Sequence, residues 1–123
     1  MKILFVGEKR STRAEMMNWT WQDRRLSGKS LFDAFQSIGI DSDEFDFCNV
    51  FEPSIILVEE AVEEGTPIVA MGKIAQSFLS SQGIDHFEMI HPAARGRIRK
   101  KENYARHVAD VISKIEKGKE QAE

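Results

Sequence analysis

The 123-residue chain predicts a three-layer α/β/α domain on a four-stranded parallel sheet, and three observations point there. Four short apolar runs, at 2–6, 45–48, 67–71 and 87–90, alternate with segments of helical spacing, which is the pattern of βαβ units. Each run stops on residues suited to a turn or a site: Gly7-Glu8, Asn49, Gly72-Lys73 and His91-Pro92. A hydrophobic fraction of 41% with 30% charged residues fits an ordinary globular core and argues against disorder.

The elements follow in order. Lys2-Ile3-Leu4-Phe5-Val6 reads as the first strand, and 9–28 as polar and irregular, with Trp19 and Trp21 inside it. A helix from 29 or 30 to 38 carries Leu31, Phe32, Phe35 and Ile38 on one stripe and stops at Gly39. After the second strand, 54–64 reads as a helix with Ser54 as its N-cap and Gly65 as its stop. The third strand passes through a tight turn at Gly72 into a helix over 74–81. Tyr104, Val108, Val111, Ile112 and Ile115 mark a last helix over 102–117, followed by a polar tail at 118–123. No linker or repeat divides the chain, so 1–117 is expected to be one domain.

Several classes are set aside by composition. Cys48 is the only cysteine, which leaves no internal disulfide and no Cys-ligated zinc or iron–sulfur centre. Potential metal ligands are scattered singly, so neither a metal nor another cofactor is expected. No apolar run has membrane-span length, and a free thiol suits a reducing compartment; a soluble, cytoplasmic, monomeric protein is the expectation. The net charge of −3 gives no global footprint for nucleic acid, but Arg95, Arg97, Arg99, Lys100 and Lys101 concentrate positive charge locally. Gly28-Lys29-Ser30 resembles the end of a phosphate-binding P-loop, yet Asp23 stands where that motif needs glycine, so Gly28 reads as a loop glycine before a helix.

Parallel strands put their carboxyl ends along one edge, where open α/β sheets bind ligands. Glu8 there is either a solvated loop residue or a carboxylate that orients a water, with Gly7 giving the turn its room. Asn49 is either a turn-former or an amide able to read a nucleobase edge. His91 is held extended by Pro92, placed to donate to a developing oxyanion. His86 and His107 lie away from these strand ends and read as structural. Arg95, Arg97, Arg99 and Lys100 form either a solvated face or a phosphate-binding loop beside His91. Trp21 and Trp19 either stack on a base or cap the core.

Taken together, Ile3-Leu4-Phe5-Val6-Gly7-Glu8, Ser27-Gly28-Lys29-Ser30-Leu31, Phe47-Cys48-Asn49-Val50, Pro67-Ile68-Val69-Ala70-Met71-Gly72-Lys73 and Ile90-His91-Pro92-Ala93-Ala94 resemble the uracil-DNA glycosylase superfamily. The resemblance covers most of the chain. It implies a pocket for a base flipped out of DNA, with Glu8 orienting the attacking water, Asn49 reading the uracil edge and His91 stabilising the leaving base. Lys9-Arg10-Ser11 stand where Gly-Glu members usually continue Ala-Pro-Gly, and Ala93 where serine is usual; Trp21 is the candidate replacement for the missing aromatic platform. The resemblance thus implies a base-excision glycosylase acting on uracil or a related modified base. Two other readings stay open: a non-catalytic binder of a base, nucleotide or DNA, and an interaction protein using the acidic helix at 59–64.

Overall fold

A computed structural model describes residues 1–121. Its four strands, β1 (Ile3–Gly7), β2 (Phe45–Asn49), β3 (Ile68–Met71) and β4 (Phe87–Met89), form one all-parallel sheet in the order β2-β1-β3-β4. β1 and β3 are the inner strands and are buried throughout, which explains their unbroken apolar runs. The edge strands β2 and β4 instead expose Asp46 and Glu88, charges that discourage further strand pairing.

The described residues form five α-helices, α1 (Thr12–Met17), α2 (Ser27–Ser37), α3 (Ile56–Glu64), α4 (Lys73–Ser81) and α5 (Lys101–Gln121), of which α2 to α5 cover the two faces and α1 lies by the rim. On one face, α2 and α5 bury Leu31, Phe35, Val108 and Ile115 against Ile3, Phe5, Phe47, Val69 and Met89. Phe5 lies at the centre of an aromatic cluster, with ring centroids 5.4 Å from Phe35, 5.2 Å from Phe45 and 5.5 Å from Phe47. On the other face, Val58, Ala61, Ala75 and Leu79 of α3 and α4 pack on Leu4, Val6, Cys48, Ile68 and Ala70. The side chains alternate between faces because successive strand residues point opposite ways. Burial pushes the Cys48 thiol up to about 12, so it packs as a small apolar group rather than a nucleophile. Among the described residues no helix is long and apolar enough to cross a membrane.

Four sequence expectations need correction. Residues 9–28 are not wholly irregular, for they hold α1 and a 3-10 turn at Trp21–Asp23. Gly28 lies inside α2 rather than before it, since Ser27 already begins the helix. Ser54 sits in a 3-10 turn, Pro53–Ile55, and α3 starts only at Ile56; the Ser54 hydroxyl accepts from the Asn49 backbone N–H at 3.3 Å instead of capping a helix. The last helix does not stop at Lys117. It continues to Gln121, because Lys, Glu and Gln are good helix formers and a single Gly118 is tolerated; 122–123 of the expected tail lie outside the described residues.

From β1 the chain goes to β2 on one side and returns to β3 on the other. The strand order therefore reverses beside β1, which opens a crevice outside the strands' carboxyl ends.

Candidate base-binding site

The register of β1 and β2 pairs Gly7 with Asn49, which sets the strand-end glycine beside the strand-end amide. Asn49 is only 4% exposed, so its polar groups need partners. One is Trp21, whose Nε1–H donates to Asn49 Oδ1 at 3.0 Å. An indole N–H is a donor only, so the amide must turn its oxygen to Trp21 and keep its Nδ2 hydrogens for something else. The glycine makes this possible: a Cβ at Gly7 would lie 2.6 Å from Asn49 Oδ1 and 2.9 Å from Trp21 Cζ2.

His91 follows β4 and faces the same crevice, its ring centroid 5.9 Å from that of Trp21. A second glycine gives it room, for a Cβ at Gly72 would stand 3.2 Å from His91 Cβ, and Gly72 has φ +91°, a conformation L residues rarely adopt. The Ala93 backbone N–H donates to His91 Nδ1 at 3.0 Å. That nitrogen is therefore the acceptor of a neutral ring, and the proton sits on Nε2. Burial lowers the His91 pKa, while the nearby negative charge of Glu8 works in the opposite direction. The loop carrying His91 is pinned on both sides of Ile90: its N–H donates to His107 Nε2 at 2.9 Å and its carbonyl accepts from the Tyr104 hydroxyl at 2.9 Å.

Asn49, Trp21 and His91 line one cavity of about 70 Å³, together with Ser27, Gly28 and Arg25. Glu8 is not part of its wall, although its charge reaches His91. Gly28 belongs there for a packing reason, since a Cβ would lie 2.9 Å from the Trp21 carbonyl oxygen. Arg10 braces the segment leading into α1: its backbone N–H donates to the Glu52 carboxylate and its Nε lies 3.3 Å from Glu52 Oε1.

A second, larger cleft of about 840 Å³ adjoins the first, and Leu26 and Ser27 line both. Lys29, Arg95, Arg99 and Lys101 face it, against one carboxylate, Asp33, which Lys29 approaches at 2.8 Å and Lys101 at 3.9 Å. Of the basic residues expected to meet DNA, Arg95 and Arg99 line this cleft, whereas the exposed Arg97 and Lys100 lie outside both cavities. Lys29 was not among the residues expected to meet DNA. It is remote from the basic run in sequence, and only the packing of α2 against α5 brings it there.

The turn that presents Trp21 did carry a signal. Thr20 and Asp23 have capping-box spacing, and Thr20 N–H donates to Asp23 Oδ2 at 2.7 Å. No protein-family model matches the chain, and no curated protein matches it.

Among the described residues, no group of three or more His, Cys, Asp or Glu side chains gathers as metal ligands would. What the rim offers is two N–H donors, Asn49 Nδ2 and His91 Nε2, with an acidic group close by.

Proposed function

We propose that this protein is a base-excision glycosylase that hydrolyses the N-glycosidic bond of uracil or a related modified base in DNA. The observation that carries the reading is the neutral His91, held by Ala93 with its Nε2 as the protonated nitrogen, beside Asn49 and within reach of the Glu8 charge. A neutral imidazole is an effective donor to an oxygen that gains negative charge.

In this reaction the C1′–N bond breaks and its electron pair leaves with the base. His91 Nε2–H donates to the base carbonyl on which the charge collects, and Asn49 Nδ2 is the second donor. Glu8 orients the water whose oxygen forms the new bond to C1′ and takes the proton that water gives up, which passes through solvent to the base anion; its charge also stabilises positive charge on the sugar. One well-aimed donor contributes about 2.7–4 kcal/mol in comparable sites. Extruding the base costs a few kcal/mol, which phosphate contacts along the basic cleft offset. Lys29, Arg95, Arg99 and Lys101 supply those contacts, with arginine's fork suited to phosphate oxygens.

The test is incubation with uracil-containing oligonucleotides, followed by alkaline cleavage at abasic sites. Strand cleavage that depends on uracil is the expected result. Its absence, with purified folded protein, removes the reading.

A non-catalytic base or nucleotide binder is the second reading, and the place of Glu8 outside the cavity wall favours it, because a binder needs Asn49 and His91 but no carboxylate aimed at a water. Oligonucleotide binding without base release selects this reading.

A further inference from the structure

The rim cavity is small because one side chain fills it. Trp21 stands over Gly7, bonds Asn49 Oδ1 through its ring N–H at 3.0 Å, and tilts against the His91 imidazole. An indole is a flat heterocycle with one ring N–H. The lactam N–H of uracil, thymine or hypoxanthine is the same kind of donor on the same kind of flat ring. Trp21 thus makes, within its own chain, the hydrogen bond that such a base would make to Asn49.

The backbone leaving this turn is strained at one residue. Among the described residues, the non-glycine residues with positive φ are Asn18, Arg24 and Leu26, all flanking this one turn. Asn18 and Arg24 are ordinary left-handed turn residues. Leu26 is different, for it combines φ 53° with ψ −124°. Its side chain is 49% exposed, so close packing does not account for the conformation. Strain of this kind persists where surrounding contacts hold it, and it concentrates at clamps and switches. The Trp21–Asn49 bond and the packing of Trp21 on His91 tie this turn to the sheet rim.

We propose that Trp21 is a built-in occupant of the base cavity, a base mimic that withdraws with its turn, pivoting at Leu26, to admit a planar heterocycle bearing a ring N–H beside a carbonyl. The identity of the ligand rests on the base-binding reading above; the plug itself does not. The ligand's N–H replaces the indole at Asn49 Oδ1, and its carbonyl accepts from His91 Nε2. While the plug is in place, apparent affinity is reduced by the fraction of molecules that are open.

Two measurements test this. Trp19→Phe leaves Trp21 as the sole indole; deoxyuridine should shift its emission to the red and raise its quenching by acrylamide, while 3-methyldeoxyuridine, which lacks the ring N–H, should not. Trp21→Gly should gain thermal stability from added indole and bind deoxyuridine about tenfold more tightly than the parent, the worth of one hydrogen bond. Trp21→Phe keeps an aromatic ring on the turn but loses the N–H and the five-membered ring, so it too should bind deoxyuridine more tightly. Trp21 emission moved by deoxyinosine but not by deoxyuridine, with indole stabilising Trp21→Gly, upholds the plug and removes the uracil reading. Deoxyuridine bound by Trp19→Phe with Trp21 emission unmoved overturns the proposal. So does Trp21 emission that no lactam-bearing nucleoside moves, or a folded Trp21→Phe protein that binds the responding nucleoside no more tightly than the parent.

Discussion

His91 Nδ1 accepts the backbone N–H of Ala93, two residues ahead, and this bond decides which ring nitrogen is left for a ligand. His107 is likewise an acceptor, from the Ile90 N–H, so two histidines in neutral form hold the loop from 90 to 93. Protonation would turn either acceptor into a donor facing a donor.

A pH dependence of stability follows. Burial lowers both histidine pKa values; Glu8 opposes the shift at His91, and Asp110 opposes it at His107, where Lys114 adds to it. Groups with depressed folded-state values bind protons more readily when unfolded. Their contribution is therefore complete above the unfolded value of about 6.5 and is lost as pH falls through the lower folded values. Urea unfolding at about pH 7.5 and about pH 5 should show a lower midpoint in acid. His91→Gln with His107→Gln should shrink that difference; an unchanged difference would assign it to other groups.

Glu8 acts on a residue of the rim, because its charge raises the His91 pKa against the effect of burial. Glu8→Gln should therefore move the His91 titration further down, as read by NMR of the imidazole ring. The same change should lower base release by about 10²–10⁴-fold if Glu8 orients the water, while oligonucleotide affinity stays near the parent's. Turnover at the parent's rate would remove Glu8 from the mechanism.

The strands were legible in the sequence because inner parallel strands are apolar on both faces and end on turn residues, as 2–6 and 67–71 do. The helices α2 and α5 were legible from their stripes, α4 from the Gly72 turn before it, and Asn49 and His91 from their places at strand ends. α1 was not, since only Ala14 of its six residues is buried and Met16 and Met17 point outward, so no periodicity marks it. Its cap did leave a trace: Ser11 Oγ accepts from the Ala14 N–H at 3.2 Å. The bond from Trp21 to Asn49 was not legible either. It joins residues 28 positions apart, and the Thr20–Asp23 spacing that marks the turn does not say where its tryptophan lands. Glu8 was expected in the cavity wall with Asn49 and His91; it acts on His91 through its charge from beside that wall.

Charge changes should separate the cleft from the rest of the basic run. Arg99 lines the larger cleft and Arg97 does not. Arg99→Glu should weaken oligonucleotide binding and reduce the slope of log affinity against log salt by roughly 0.7–0.9 for each phosphate that is no longer neutralised. Arg97→Glu should have a smaller effect on both. Fluorescence anisotropy across a salt series measures this, and equal effects at the two positions would mean that a diffuse field, rather than the cleft, holds the strand.

Gly7 gives the most local test of the rim. Its missing Cβ is the space that lets Trp21 reach Asn49, with 2.6 Å to Oδ1 and 2.9 Å to Cζ2 from the position a methyl would take. Both distances lie below normal contact, and Gly7 sits on the buried central strand, paired with Asn49 on one side. Neither neighbour can yield freely: Asn49 is buried, and moving Trp21 breaks its bond to the amide. Gly7→Ala should therefore destabilise the protein by about 1–3 kcal/mol, as overpacked sites do. It should also expose Trp21, seen as a red-shifted emission in the Trp19→Phe background. A substitution at Gly39 is a useful contrast, because a Cβ there meets nothing within 4 Å and the φ of +70° is the only penalty. Gly39→Ala should lower stability without moving the Trp21 spectrum, whereas Gly7→Ala should do both.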